Sequence, residues 1–194
     1  MQKGRLEAFS DGVLAIIITI MVLEMKAPED TTLEALGTVL PVFLSYVLSF
    51  IYVAIYWINH HHLFQATRQI SIGVLWANMH LLFWLSLIPF VTSWLGENHL
   101  NPVPVAFYGG VLFISAVAFR ILERALIRSH DAKTPIARTL NNGRKEKVSM
   151  VLYLLSIPMA FVHIAISIAC YVTVAVIWVV PAKRLEQAIE KQAN

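Results

Sequence analysis

Charge is scarce in this sequence. Only 14% of its 194 residues are Asp, Glu, Lys or Arg, and 58% are hydrophobic, against about 25% charged and roughly half apolar in a soluble domain. That balance excludes an ordinary soluble enzyme. Cysteine occurs once, at Cys170, so no intrachain disulfide can form and a disulfide-stapled secreted scaffold is excluded. A phosphate-cradling P-loop, a dinucleotide fingerprint, a nucleophile elbow and an HExxH pair are all missing, which removes the common catalytic frameworks. There is no internal repeat and no low-complexity tract.

What the chain has instead is length without charge. Uncharged stretches run from Ala35 to Thr67, Gln69 to Gly96, Asn98 to Phe119 and Val148 to Ala182, each long enough to cross a bilayer as a helix of about 20 residues. The N-terminal apolar stretch, Val13 to Leu23, is shorter and does not read as a cleavable signal. To span, this helix must run from about Leu6 to Met25 and carry Glu7, Ser10, Asp11, Thr19 and Glu24, which is costly in lipid unless those groups face protein or water. The first helix is therefore the functional suspect.

The connections take signs, because short cytoplasmic loops collect Lys and Arg. Glu24 to Glu34 holds four acids and one lysine, and Glu97 makes another acidic connection, so both read as outside. Arg68 and the strongly basic Arg120 to Lys147 read as inside, as does the tail from Lys183. The last apolar run must then cross an even number of times. Pro158 places a bend there, giving helices over about Val148 to Ser156 and Val162 to Val180, the first beginning earlier within the basic loop; one kinked helix is the alternative. With Leu36 to Ile58, Ile72 to Leu95 and Val105 to Leu122, the expected fold is all-α, a polytopic protein of six transmembrane helices with both termini cytoplasmic. Residues 1–194 form one transmembrane domain. Arg120, Glu123, Arg124 and Arg128, at helical spacing, read as a solvated face beyond the membrane.

At 100° per residue, Phe9, Gly12, Ile16, Ile20 and Leu23 share one stripe of the first helix with Thr19 on its flank. Ordinary packing makes such stripes, but Gly12 admits a close neighbour and Thr19 offers a hydroxyl at mid-membrane depth. A ring of such stripes makes a hydrophobic constriction that gates by wetting. One chain this small cannot enclose a pore, so a pore implies a symmetric oligomer.

The polar residues at the cytosolic end match in depth. Asp11 needs donors, and Arg5, Ser10, Trp57 or Trp76, His60 and Asn78 supply them, with His80 nearby. Two readings stay open, a structural network that anchors the first helix and a proton relay through Asp11 and a histidine. The consecutive His60, His61 and His62 fan around a helix and cannot converge on one metal ion. His163 and Cys170, seven apart, read as packing, and Glu29, Asp30 and Glu34 as a solvated loop.

Arg5-Leu6-Glu7-Ala8-Phe9-Ser10-Asp11 fits an R-x-x-x-F-S-D signature, and with it the chain resembles the transmembrane protein 175 potassium channels. The resemblance extends to Trp57-Ile58-Asn59-His60, Asn78 and Pro89-Phe90, covering about half the chain. It implies a homotetramer of six-helix subunits, with the first helix lining a pore that lacks the usual TVGYG filter. By the same resemblance Ile16, Ile20 and Leu23 form the constriction, Thr19 a selectivity hydroxyl, and Arg5, Phe9, Ser10, Asp11, Trp57, His60 and Asn78 the anchoring network, to which Trp76 and His80 are added here. The expected function is a channel preferring potassium over sodium, without enzymatic activity, cofactor, metal site or nucleic-acid partner. Its partners are other copies of itself, the lipid bilayer and permeant monovalent cations, and its setting is a bacterial inner membrane. The alternative is a proton-conducting or proton-coupled pathway through Asp11 and the histidines.

Overall fold

The computed structural model describes residues 3–28, 30–65, 70–98, 101–128 and 143–179. All regular structure in them is helical. Helix α1 covers Lys3–Leu23, α2 Leu33–Thr38, α3 Leu40–Gln65, α4 Ile72–Leu85, α5 Ile88–Glu97, α6 Pro102–Arg128, α7 Arg144–Val162 and α8 Ile164–Val179. Arg68, Glu29, residues 129–142 of the basic loop and the C-terminal tail lie outside the described residues.

Local chemistry explains the boundaries. The Thr32 hydroxyl accepts from the Ala35 amide at 3.1 Å to start α2, and Ser71 does the same for Val74 at 3.3 Å at the head of α4. Pro89 lacks the amide that would bond the Leu85 carbonyl, and α4 ends at Leu85. The chain continues almost without interruption, since Leu87 N–H donates to the Trp84 carbonyl and Val91 N–H to the Leu87 carbonyl. By length and composition α1, α3, the α4–α5 pair and α6 can each cross a membrane. Helix α8 is apolar but shorter, and α7 begins with Arg144, Lys145, Glu146 and Lys147.

Side-chain bonds fix the directions. Ser167 Oγ donates to the Ser156 carbonyl at 2.7 Å, Trp178 Nε1 to Ser149 Oγ at 2.9 Å and Lys145 Nζ to the Ile177 carbonyl at 2.9 Å, so α7 and α8 are antiparallel. Bonds from Asn78 to Ser10 and from Thr92 to Met21 set α4–α5 parallel to α1. His60 with Asn78 and Ser49 with Thr92 set α3 antiparallel to α4–α5. Helix α6 packs on α4, α5, α7 and α8, whereas α1 packs on α3, α4 and α5 and lies at one side. Glycine allows two close approaches: a Cβ on Gly96 would stand 2.7 Å from Val42 Cα, and one on Gly109 would strike the Tyr171 and Ser156 hydroxyls.

Two expectations are corrected. The last run is two helices, and α7 does begin inside the basic loop, but the break falls at His163, not near Pro158 and Met159. His163 is extended, with φ −159° and ψ 109°, while Pro158 sits inside α7. Proline costs a helix one hydrogen bond and bends it without ending it when neighbours hold both sides, and Ser167 bonds the chain beside it. The charges of lower α6 are also not simply a solvated face. Glu123 is 1% exposed and pairs with Arg120, because α7 folds back over this part of α6.

Candidate functional site

Helix α1 is apolar on both sides, and only one side is used inside the subunit. Leu6, Ser10, Leu14, Ile17 and Met21 are buried at spacings of three and four, the stripe that α3, α4 and α5 cover. The opposite stripe stays open. Phe9 is 48% exposed, Ile16 57%, Ile20 38% and Leu23 79%, and Gly12 and Thr19 are exposed among them. Nothing lies within 4 Å of a Cβ placed on Gly12. Thr19 Oγ1 donates to the Ile16 carbonyl at 2.9 Å, which spends the proton and leaves the oxygen lone pairs directed outward as acceptors.

At the N-terminal or inner end of α1, as opposed to its C-terminal or outer end, three buried side chains form one chain of bonds. Asn78 Nδ2 donates to Ser10 Oγ at 3.0 Å, Ser10 Oγ donates to the Leu6 carbonyl at 2.9 Å, and Asn78 Oδ1 meets His60 Nε2 at 2.7 Å. That last bond makes the imidazole the donor at Nε2, since the amide oxygen can only accept. The His60 ring stacks on Phe64 at 4.4 Å. Beside this chain, Trp57 Nε1 donates to Asp11 Oδ1 at 2.9 Å, with both residues exposed. The structure thus brings together Ser10, His60 and Asn78 in one group and Asp11 and Trp57 in another. It does not bring in the rest: Phe9 lies on the open stripe of α1, not in the network. Arg5 is exposed and makes no hydrogen bond or ion pair among the described residues, Trp76 is 73% exposed, and His80 accepts from Trp84 Nε1 at 2.9 Å on the exposed side of α4.

A second polar layer escaped the sequence reading. Near the outer end of α1, Thr92 Oγ1 lies 2.7 Å from Ser49 Oγ and 3.9 Å from Met21 Sδ, while also bonding the Ile88 carbonyl at 2.7 Å. Ser49 meets the Tyr108 hydroxyl at 2.9 Å. Tyr171 O–H donates to the Val105 carbonyl at 2.8 Å and Tyr52 O–H to the Tyr171 carbonyl at 2.7 Å. The available signal was the set of hydroxyls at matching depth on α3, α5 and α6.

Of the consecutive histidines, His61 is exposed and meets Gln65 at 2.8 Å. Among the described residues no three His, Cys, Asp or Glu side chains gather as metal ligands. The geometry therefore offers an apolar stripe left open by the subunit, the Thr19 hydroxyl beside it and a bonded anchor behind it.

Comparison with known proteins bears on the same helices. Residues 5–89 match the family described as the endosomal/lysosomal potassium channel TMEM175. A potassium channel of Chryseobacterium sp. (strain P1-3) is 50% identical over 98% of this chain and 100% of its own. The crystal structure of a lysosomal potassium-selective channel TMEM175 homolog from Chamaesiphon minutus superposes with a TM-score of 0.75 at 28% identity, covering 91% of this chain and 96% of that one. The endosomal/lysosomal proton channel TMEM175 of Gallus gallus is 30% identical over 77% of this chain, which spans 33% of the avian protein.

Proposed function

The chain belongs to the TMEM175 family of ion channels, and from that premise we propose that it is a potassium-selective channel whose pore is walled by α1 of four identical subunits. The observation that carries this reading is the open stripe of Phe9, Ile16, Ile20 and Leu23 opposite the anchored face of the same helix. Turned to a fourfold axis, it makes rings of Ile16, Ile20 and Leu23 that form a dry neck. The Thr19 oxygens lie beside the Ile16 ring and offer acceptors to an ion that has shed part of its shell. Potassium releases water more readily than sodium, so a neck this apolar favours potassium. No bond is made or broken, and the protein is a conduit, not an enzyme.

The inner network then has a mechanical role. Ser10, Asn78 and His60 hold the back of α1, with Asp11 and Trp57 as a second tie, so the front keeps its rotation. We infer six crossings in one transmembrane channel domain: α1, α3, α4–α5 and α6 are each long and apolar enough to cross, and the antiparallel pair α7 and α8 supplies the last two. The acidic connections fall at one end and the basic residues of α6 and α7 at the other, consistent with both termini on the cytoplasmic side of a bacterial inner membrane.

A second reading, proton conduction, is favoured by one observation, the exposed Asp11 carboxylate close to the open stripe. Against it, the buried chain from His60 ends on the Leu6 carbonyl, an acceptor that cannot pass a proton on. The test is the reversal potential of purified protein in a planar bilayer, under potassium against sodium and then under a pH gradient. A potential that follows potassium, and that moves toward zero in Ile16→Asn, is expected. One that follows pH transfers the function to Asp11, and an unchanged potential in Ile16→Asn removes the neck from Ile16.

A further inference from the structure

On the side of the bundle that α1 does not touch, α3, α6, α7 and α8 line a half-open cavity of about 40 Å³, room for about three waters. Tyr52, Tyr56, Phe119, Tyr153 and Trp178 give its walls their aromatic part, and Asn59, Ser149 and Glu146 also line it. The rings are set at angles to one another and are not stacked: Tyr52 and Tyr153 lie 6.2 Å apart at 54°, and Tyr56 and Phe119 5.9 Å apart at 61°. Two of them are also held in advance of any ligand. Trp178 donates to Ser149 Oγ at 2.9 Å and Tyr52 to the Tyr171 carbonyl at 2.7 Å.

The charge balance is as specific as the shape. Arg120 is paired with Glu123, whereas Glu146 has neither a hydrogen bond nor an ion pair among the described residues. Ring faces carry negative potential and attract cations. A bare metal ion needs a full shell of oxygens, whereas Ser149 is already bonded to Trp178 and the Lys145 carbonyl and the Asn59 amide to the Ile55 carbonyl, and a neutral guest leaves Glu146 unused. A cation with an apolar surface satisfies both walls and carboxylate.

We propose that this cavity binds a methylated ammonium group, the chemistry shared by free choline and the headgroup of a phosphatidylcholine lipid. The site does not depend on the pore reading, since no α1 residue lines it.

The experiment is equilibrium binding of labelled choline to the full chain in phosphatidylglycerol nanodiscs. Saturable binding is expected, with 3,3-dimethyl-1-butanol, the neutral carbon isostere, competing about tenfold more weakly and Glu146→Gln weakening choline about fivefold. Ala116→Phe, which fills the cavity, should abolish binding and serves if Glu146→Gln does not fold. Ile16→Asn should leave it intact, which separates failure here from failure of the channel reading. In phosphatidylcholine discs, loss of free-choline binding assigns the occupant to the lipid, and retained binding assigns it to the free cation; either supports the site. Equal competition by the isostere overturns the proposal. So does unchanged binding in Glu146→Gln, which would leave that carboxylate only the task of stabilising the N-terminal turn of α7.

Discussion

The two ends of α1 are fastened by different chemistry. At the inner end an amide, an imidazole and a hydroxyl meet in a chain with one arrangement of donors and acceptors, Asn78 bonding both His60 and Ser10. At the outer end the contacts are hydroxyl to hydroxyl and hydroxyl to sulfur, with Thr92 also satisfied by its own helix. The inner end is thus fixed by direction, and the outer end by packing around hydroxyls that keep an alternative partner. A buried group with an alternative loses little when one contact goes, and a group without one loses the full desolvation penalty.

That contrast can be broken most forcefully at Asn78. Replacing it with leucine leaves Ser10 without its donor and His60 without its acceptor, and should lower stability by about 2–5 kcal/mol, read as early thermal unfolding and loss of a monodisperse oligomer in detergent. Gly96→Ala probes the outer end by backbone crowding instead of bonding. The new Cβ meets Val42 Cα, so about 1–3 kcal/mol is expected, with a lower melting temperature but an intact oligomer. Thr92→Val keeps the shape and removes the hydroxyl, leaving Ser49 its bond to Tyr108; about 1 kcal/mol is expected in the same melting assay. A loss as large as that of Asn78→Leu would erase the distinction between the two ends. Asp11→Asn should do least, below about 0.5 kcal/mol, because an amide oxygen still accepts from Trp57 at an exposed position. If Asp11→Asn abolishes current while the oligomer and its melting point are unchanged, the carboxylate conducts and does not merely tie.

The same contrast explains what was legible in the sequence. The inner network could be read because Asn, His, Asp and Trp are conspicuous in an apolar chain, and each demands a partner at its own depth. Ser49, Thr92 and Tyr108 went unread because Ser and Thr in a helix can always bond their own carbonyls, as Thr92 does with Ile88, and a tyrosine ring reads as packing. Both faces of α1 are written in the sequence at helical spacing, but which face the subunit covers is decided by α3, α4 and α5. Pro158 misled because proline's rule is local, whereas α8 supports α7 from outside. Glu123 misled because its spacing from Arg120 and Arg124 is that of a surface helix until α7 arrives to cover it.

The one-residue turn at His163 also bears on how the protein is made. The side-chain bonds from Lys145, Ser167 and Trp178 that join α7 and α8 link residues 32, 11 and 29 positions apart, so this pair can close on itself as soon as its second half leaves the ribosome, without waiting for a contact to α1 to α6. Helix α8 alone is about 24 Å long, short against a hydrocarbon core of about 30 Å. During biogenesis the two arms therefore gain from entering the bilayer together as a finished hairpin, and the assembly of the subunit ends with the docking of a preformed piece.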